Sequence, residues 1–250
     1  MYNNQRIIKE LKPYIPAADI FRIYEKEAGC AFLDSSLVND LGRYSIIGRA
    51  PYLKLVKDGD TFTVNGKPET GKTFEDYMRE YLNTHEDKNE SPLPIVSGAI
   101  GYFSYDYGRE QMGVPTGEKD LVTIPEAVLT FYDCFIVEDC REKRTYLVSN
   151  GITGNAPELI RSMEKEIQEN VKFGKISVSE AEKKITDPVS HREKFKIQVH
   201  PNFEKEEYKQ AVDRMIRYII EGDIYIANMT QQLTIESEKQ PLDVFYDLRK

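Results

Sequence analysis

Several groups of residues in this 250-residue sequence have types and spacings that could do chemistry. Phe32-Leu33-Asp34-Ser35-Ser36 is followed by Gly42-Arg43-Tyr44-Ser45-Ile46-Ile47-Gly48. There an acid could hold an amine, serine hydroxyls could orient it and a tyrosine face could pack on an amphoteric ligand. The plainer reading is a β-turn held by Asx and serine caps. Gly98-Ala-Ile-Gly101-Tyr-Phe-Ser-Tyr-Asp106-Tyr-Gly108-Arg109 is punctuated like a phosphate loop. It lacks the spacing of a dinucleotide or Walker loop, so glycines that let a strand pass close under aromatic packing explain it better. Asp133, Glu138 and Asp139 could pair for acid-base work, but they fit a hairpin end equally well.

Asn228, Thr230 and Gln232 alternate with apolar residues, as on one face of a strand that is either solvated or borders a polar cleft. Cys30, Cys134 and Cys140 are odd in number and lack C-x-x-C spacing. They read as reduced structural thiols rather than a disulfide or zinc framework. His85, His191 and His200 show no ligand spacing either. The residues by themselves assemble no complete catalytic site and no metal site.

The elements that must position these groups alternate between helix and antiparallel strand. Helices are expected at Asp19 to Glu27, at Thr73 to Asn83 behind a Thr73-x-x-Asp76 capping pattern, and at Pro157 to Val171. Tyr52 to Lys57, Asp58-Gly59 and Asp60 to Val64 form a hairpin signal. Further strands are expected at Ile95 to Tyr105, Ala127 to Val137 and Thr145 to Ser149, the last two facing each other across Cys140 to Lys143. Glu204 to Glu221 is the clearest helix, with Tyr208, Val212, Met215 and Ile219 on one stripe and Gly222 as its cap. A long strand, Ile224 to Ile235, is expected after it. The last ten residues run into an amphipathic pattern with no stop signal, so the second module is expected to be truncated.

The fold expected is α+β, antiparallel sheets flanked by helices, with its C-terminal half missing. Residues 1–174 form a first domain, 175–201 a connector and 202–250 the start of a second domain. With 40% apolar and 30% charged residues the chain is that of a globular protein. Its 34 basic against 42 acidic residues give a formal charge of -8, which opposes nucleic acid and anionic lipid as partners. No window reaches the length of a membrane span and the start lacks a signal h-region, so a cytoplasmic protein is expected.

Three strings together resemble one family. Leu33-Asp34-Ser35 with Gly42-Arg43-Tyr44-Ser45-Ile46-Ile47-Gly48-Arg49-Ala50-Pro51 resembles the N-terminal block of component I of anthranilate synthase and of aminodeoxychorismate synthase. Gly98 to Arg109 resembles the family's Gly-x-x-Gly-Tyr-x-x-Tyr-Asp segment. Tyr208-x-x-Ala-Val212 through Ile219-x-x-Gly222-Asp223-Ile-Tyr225-x-x-Asn228-x-Thr230 resembles the opening of its chorismate-binding domain. The resemblance covers essentially this whole chain but about half the family's usual length.

The resemblance implies chorismate as substrate of the complete protein, Mg2+ as its metal and a glutamine amidotransferase subunit (component II) as its source of ammonia. The metal-binding and acid-base residues of the family lie mostly in the half not represented here. This chain alone is therefore expected to bind no cofactor and to be catalytically silent. Leu33, Asp34, Ser35 and Tyr44 match positions that hold tryptophan in the family, although Asp34 stands where the anthranilate enzymes commonly have glutamate. Asn228, Thr230 and Gln232 would line the cleft. Asn228-Met229-Thr230 follows the habit of the aminodeoxychorismate (folate) enzymes, while Ile226 departs from the usual glutamine. The anthranilate (tryptophan) branch is the alternative. A free-standing tryptophan-binding or interaction module over residues 1 to about 175 is the non-enzymatic one, and a salicylate or isochorismate synthase a more distant one.

Overall fold

Among the described residues the two longest strands pair with one another and carry the rest of the sheet on their outer edges. The computed structural model describes residues 6–113, 124–174 and 198–249. The chain divides into two compact units, Met1–Lys184 and Ile185–Lys250.

At the centre of the first unit β3 (Tyr44–Asp58) pairs antiparallel with β7 (Ala127–Asp139) from Tyr44↔Asp139 to Lys57↔Ala127. Each is then flanked by two shorter strands, one along each half. On β3 these are β2 (Ala31–Leu33) and β4 (Thr61–Val64). On β7 they are β6 (Ala99–Phe103) and β8 (Arg144–Ser149). β1 (Ile7–Leu11) lies outside β8 and β5 (Lys67–Pro68) outside β4, which completes an eight-stranded antiparallel sheet. The strand is broken once: Ala50 adopts φ 52° and the register slips between Pro51 and Leu53. Such a bulge bends a strand and increases its twist, so the two halves of the sheet can carry separate cores.

On one half α1 (Ala17–Tyr24) and α4 (Ala156–Lys172) pack on each other and on the sheet. α1 buries Ile20, Phe21 and Tyr24, and α4 buries Ile160, Met163 and Ile167. Asn155 starts α4 by accepting a hydrogen bond from Glu158 N–H at 3.2 Å. On the other half α2 (Phe74–Thr84) begins where Thr73 Oγ1 accepts from Asp76 N–H at 3.1 Å. Its Phe74 is buried among Leu53, Leu55, Phe62, Ala127 and Phe131. Burial of one such side chain is worth about 1.5–3 kcal/mol. A third cluster gathers Leu93, Val96, Tyr132, Phe135, Val137 and Val148.

Two glycines are required by close approach. A Cβ on Gly101 would sit 1.8 Å from the Val128 carbonyl oxygen of the neighbouring strand, and one on Gly48 would meet the Tyr132 ring at 2.8 Å. Gly101 therefore belongs to a strand pressed against β7, as the close-passage reading of the Gly98–Arg109 run expects, and the short helix α3 (Tyr105–Gln111) follows it.

In the second unit α5 (Lys205–Glu221) ends at Gly222, which takes φ 84°. Glu207 closes its first turn by accepting from Glu204 N–H at 3.0 Å. β9 (Val199–Pro201) pairs with β10 (Leu233–Ile235), and α6 (Pro241–Leu248) follows. The strand expected over Ile224 to Ile235 is corrected here, because only its last three residues are strand. The ladder reaches as far as its partner does, and β9 is three residues long. Most of the connector expected over 175–201 lies outside the described residues; its last three residues are β9.

Candidate functional site

Where β2 ends and β3 begins, the antiparallel pairing brings Leu33 opposite Ile46 and so sets Asp34 and Ser35 beside Tyr44 and Ser45. Ser35 Oγ donates to the Tyr44 carbonyl at 2.7 Å, and Ser35 N–H donates to Ser45 Oγ at 3.0 Å. Ser45, wholly buried, turns its hydroxyl to Asp34 Oδ1 at 3.3 Å and lies 3.5 Å from Cys140 Sγ. Asp34, Ser35 and Tyr44 are half-buried and Leu33 is half exposed. The four residues are thus neighbours. The two serines stitch the β2–β3 turn, so the hydroxyls that could orient a ligand also hold the backbone.

Arg43, next to this turn, is spent on Asp139. Its Nη2 and Nε reach Asp139 Oδ2 at 2.6 and 3.0 Å, and its guanidinium lies 5.0 Å from the Tyr44 ring centre. Asp139 also accepts from Arg141 N–H at 3.1 Å and Glu142 N–H at 3.0 Å, which closes the turn into β8. Burial alone would raise the Asp139 carboxyl, but the hydrogen bonds from Arg43 and these two amides outweigh it and hold the group below the usual carboxylate range.

The other two carboxylates are equally committed. Glu138 accepts from Ala17 N–H at 2.7 Å, at the first turn of α1, and from the Tyr14 hydroxyl. Asp133, wholly buried, accepts from Asn150 N–H at 3.0 Å and from Thr153 N–H and Oγ1, each at 2.6 Å. All three are thus structural groups, but the hairpin-end reading of their spacing holds for Asp139 alone, since Glu138 caps α1 and Asp133 holds the loop that follows β8.

Burial pushes the Cys30 thiol up to about 12 and Cys134 up to about 11, and raises Cys140 beside Glu138 and Asp34. None of the three forms a disulfide. Among the described residues no three His, Cys, Asp or Glu side chains converge to hold a metal ion. His191 lies outside the described residues.

In the second unit Asn228 and Thr230 lie on exposed irregular backbone rather than on a strand face. Gln232 is half-buried and marks the end of the two-stranded ladder: its N–H donates to Asn202 Oδ1 at 2.8 Å and its carbonyl accepts from Asn202 N–H at 3.0 Å.

Comparison with known proteins gives this arrangement a family. Residues 39–250 match the chorismate binding enzyme family. The chain belongs to it. The matched span includes Tyr44 and the stretch from Asn228 to Gln232, and starts just after Leu33, Asp34 and Ser35.

Among curated proteins similar to this chain, anthranilate synthase component 1 of Acetivibrio thermocellus is 26% identical over 92% of this chain and 48% of its own length. Aminodeoxychorismate synthase component 1 of Bacillus subtilis is 24% identical over 84% of this chain and 43% of its own. The structure of anthranilate synthase component I from Streptococcus pneumoniae superposes with a TM-score of 0.62 at 18% identity, over 85% of this chain and 46% of that one. The curled antiparallel sheet with flanking helices is therefore the component I fold. The chain spans about half the length of the relatives it matches. Among the described residues no helix is long and apolar enough to cross a membrane.

The sequence reading missed Ser45 as the buried centre of the Asp34–Ser35–Tyr44 turn. An alternating strand that places Ser45 on the same side as Ile47 and Arg43 was the available signal.

Proposed function

We propose that this chain is the first half of component I of an aminodeoxychorismate synthase, which aminates chorismate to 4-amino-4-deoxychorismate with ammonia from a glutamine amidotransferase partner. The family match over residues 39–250 carries the chorismate part of this reading. The Asn228-Met229-Thr230 string carries the folate branch. Most of the relatives described as similar are anthranilate synthases, and this favours chorismate to anthranilate as the second reading.

The chemistry asks for cations and a metal against a dianionic substrate and a departing hydroxyl. In the first unit Arg43 is paired with Asp139 and Arg49 with Glu27 at 2.6 Å. These motif arginines are building groups, and the role proposed for this half is to frame the site while Mg2+ and the reacting groups are held elsewhere in the complete enzyme. Leu33, Asp34, Ser35 and Tyr44 are proposed as one wall of a tryptophan site. Asn228, Thr230 and Gln232 are proposed as one edge of the chorismate cleft.

The test is an assay of the polypeptide encoded by the full reading frame with chorismate, Mg2+ and ammonium. An aminated product that needs a separate lyase to release aminobenzoate is the outcome expected. Direct release of fluorescent anthranilate transfers the chain to the tryptophan branch, and the absence of both products ends the chorismate proposal.

A further inference from the structure

The first unit carries a groove of about 950 Å³ that shares no residue with the Asp34–Ser45 turn. One wall is aromatic, built from Tyr52, Tyr77, Tyr81 and Phe131. Tyr81 stands edge-on to Phe131 with 4.8 Å between ring centres, and its hydroxyl donates to the Tyr52 hydroxyl at 3.1 Å. His85 stacks on Tyr81 at 4.1 Å, so the Tyr81 ring is braced from two sides. These rings belong to α2 and the central strands, which are rigid elements.

The same groove is also lined by polar residues that are equally fixed. Arg6 Nε donates to Asn150 Oδ1 at 2.8 Å, and Arg6 Nη2 pairs with Asp87, whose carboxylate also accepts from Ser97 Oγ at 2.7 Å. Asn150 is 7% exposed and its amide is anchored to the Val96 and Asp133 carbonyls at 3.0 and 2.8 Å. These bonds use Nε and Nη2 of the guanidinium; among the described residues none uses Nη1. Arg6 is thus held in place with Nη1 left over, in a groove that it lines together with the aromatic rings.

We propose that this groove binds a small planar aromatic monocarboxylate, its ring against Tyr52 and Tyr81 and its carboxylate on Arg6 Nη1. Aromatic rings prefer offset or edge-on aromatic partners, which selects a flat unsaturated ligand over a saturated one of equal volume. A preoriented guanidinium edge selects a carboxylate over a neutral polar group. Asp87 is already paired with Arg6, and among the residues lining the groove Arg6 is the one Lys or Arg beside Glu86, so a second negative charge on the ligand finds no cation there. That last feature separates this site from the dianionic chorismate, and the inference stands whether or not the chorismate reading does.

Calorimetric titration of the 250-residue protein with naphthoate tests it. Saturable binding is expected, weakened roughly tenfold or more by Arg6→Gln, as for loss of a charge-assisted hydrogen bond. Naphthamide, decahydronaphthoate and naphthalene dicarboxylate should each bind at least about tenfold more weakly than naphthoate. Ile152→Trp, placed at the rim where Ile152 is 45% exposed, should block binding while leaving the urea unfolding midpoint in place. It keeps the test sound if Arg6→Gln loosens the fold by stranding Asp87. No saturable heat with naphthoate, equal binding of decahydronaphthoate, or unchanged binding by Ile152→Trp overturns the proposal.

Discussion

Two helices of the same length have opposite fates in this chain. α4 and α5 each run 17 residues, each carries an apolar stripe and each is capped at both ends. α4 buries Ala156, Ile160, Met163 and Ile167, whereas α5 buries nothing and leaves Ile216, Tyr218, Ile219 and Ile220 between 42% and 77% exposed. The difference lies in what each helix finds to lie on. α4 meets α1 and the strands β8 and β1 of an eight-stranded sheet, while the described residues of the unit that contains α5 form one two-stranded ladder. Periodicity and caps make a helix, but only a second layer makes its stripe a core.

The strongest way to break this comparison is to separate the regions. Residues 1–174 alone should unfold in one cooperative urea transition, and residues 198–250 alone should show none. In the whole chain Phe135→Ala, at a wholly buried position, should cost about 3–5 kcal/mol. Ile219→Ala should cost less than about 1 kcal/mol. Equal costs from the two substitutions, read from urea midpoints and slopes, would erase the distinction.

A smaller effect sharpens it from the polar side. Asp139→Ala should cost about 1–3 kcal/mol by stranding two turn amides and Arg43. Because the Asp139 carboxyl is held below its ordinary range in the folded state, the stability it contributes is present above that range and is lost as pH falls through the lowered folded value. The gap between wild type and variant should therefore close in acid; a gap independent of pH would show that the ionised pair is not its source.

The smallest effect concerns reactivity rather than stability. With Cys30 raised to about 12 and Cys134 to about 11, little thiolate exists at pH 8. Iodoacetamide should label both at least about tenfold more slowly in the native protein than in urea, given how thiolate fraction governs the rate. Rapid native labelling at either position would count against the buried, structural role.

Much of the fold was legible in local pattern. The α4 and α5 stripes, the Thr73 cap, the β7–β8 hairpin across Cys140 to Lys143 and the Gly222 stop are each contained in a few consecutive residues. The Asp58-Gly59 turn was also visible, displaced by one residue, since Asp58 pairs with Thr61 and Gly59 carries the positive φ. What escaped depended on distant partners. β1 is strand because Ile7 to Leu11 lie along β8, far away in sequence. The bulge at Ala50 follows from the register with β7, and nothing in Arg49-Ala50-Pro51 alone demands it.

The candidate site was legible to the same depth. The Leu33–Ser35 and Gly42–Ser45 strings pointed to one turn, and the structure brings them together. The alternation of Asn228, Thr230 and Gln232 suggested a strand that the short β9 does not extend to. The groove was invisible because Tyr77 and Tyr81 read as an ordinary helix stripe, and because Arg6 and Asp87 stand 81 residues apart.

Amino-acid order by itself determined the helices, their caps, the antiparallel hairpins and the family strings, because hydrogen bonds between near neighbours and side-chain periodicity are local quantities. Tertiary structure alone decided which stripe became a core, which carboxylates became caps and that an arginine near the start lines one groove with three tyrosines. Burial and charge pairing depend on what other segments bring to the same place, and that is settled only when the sheet closes around them.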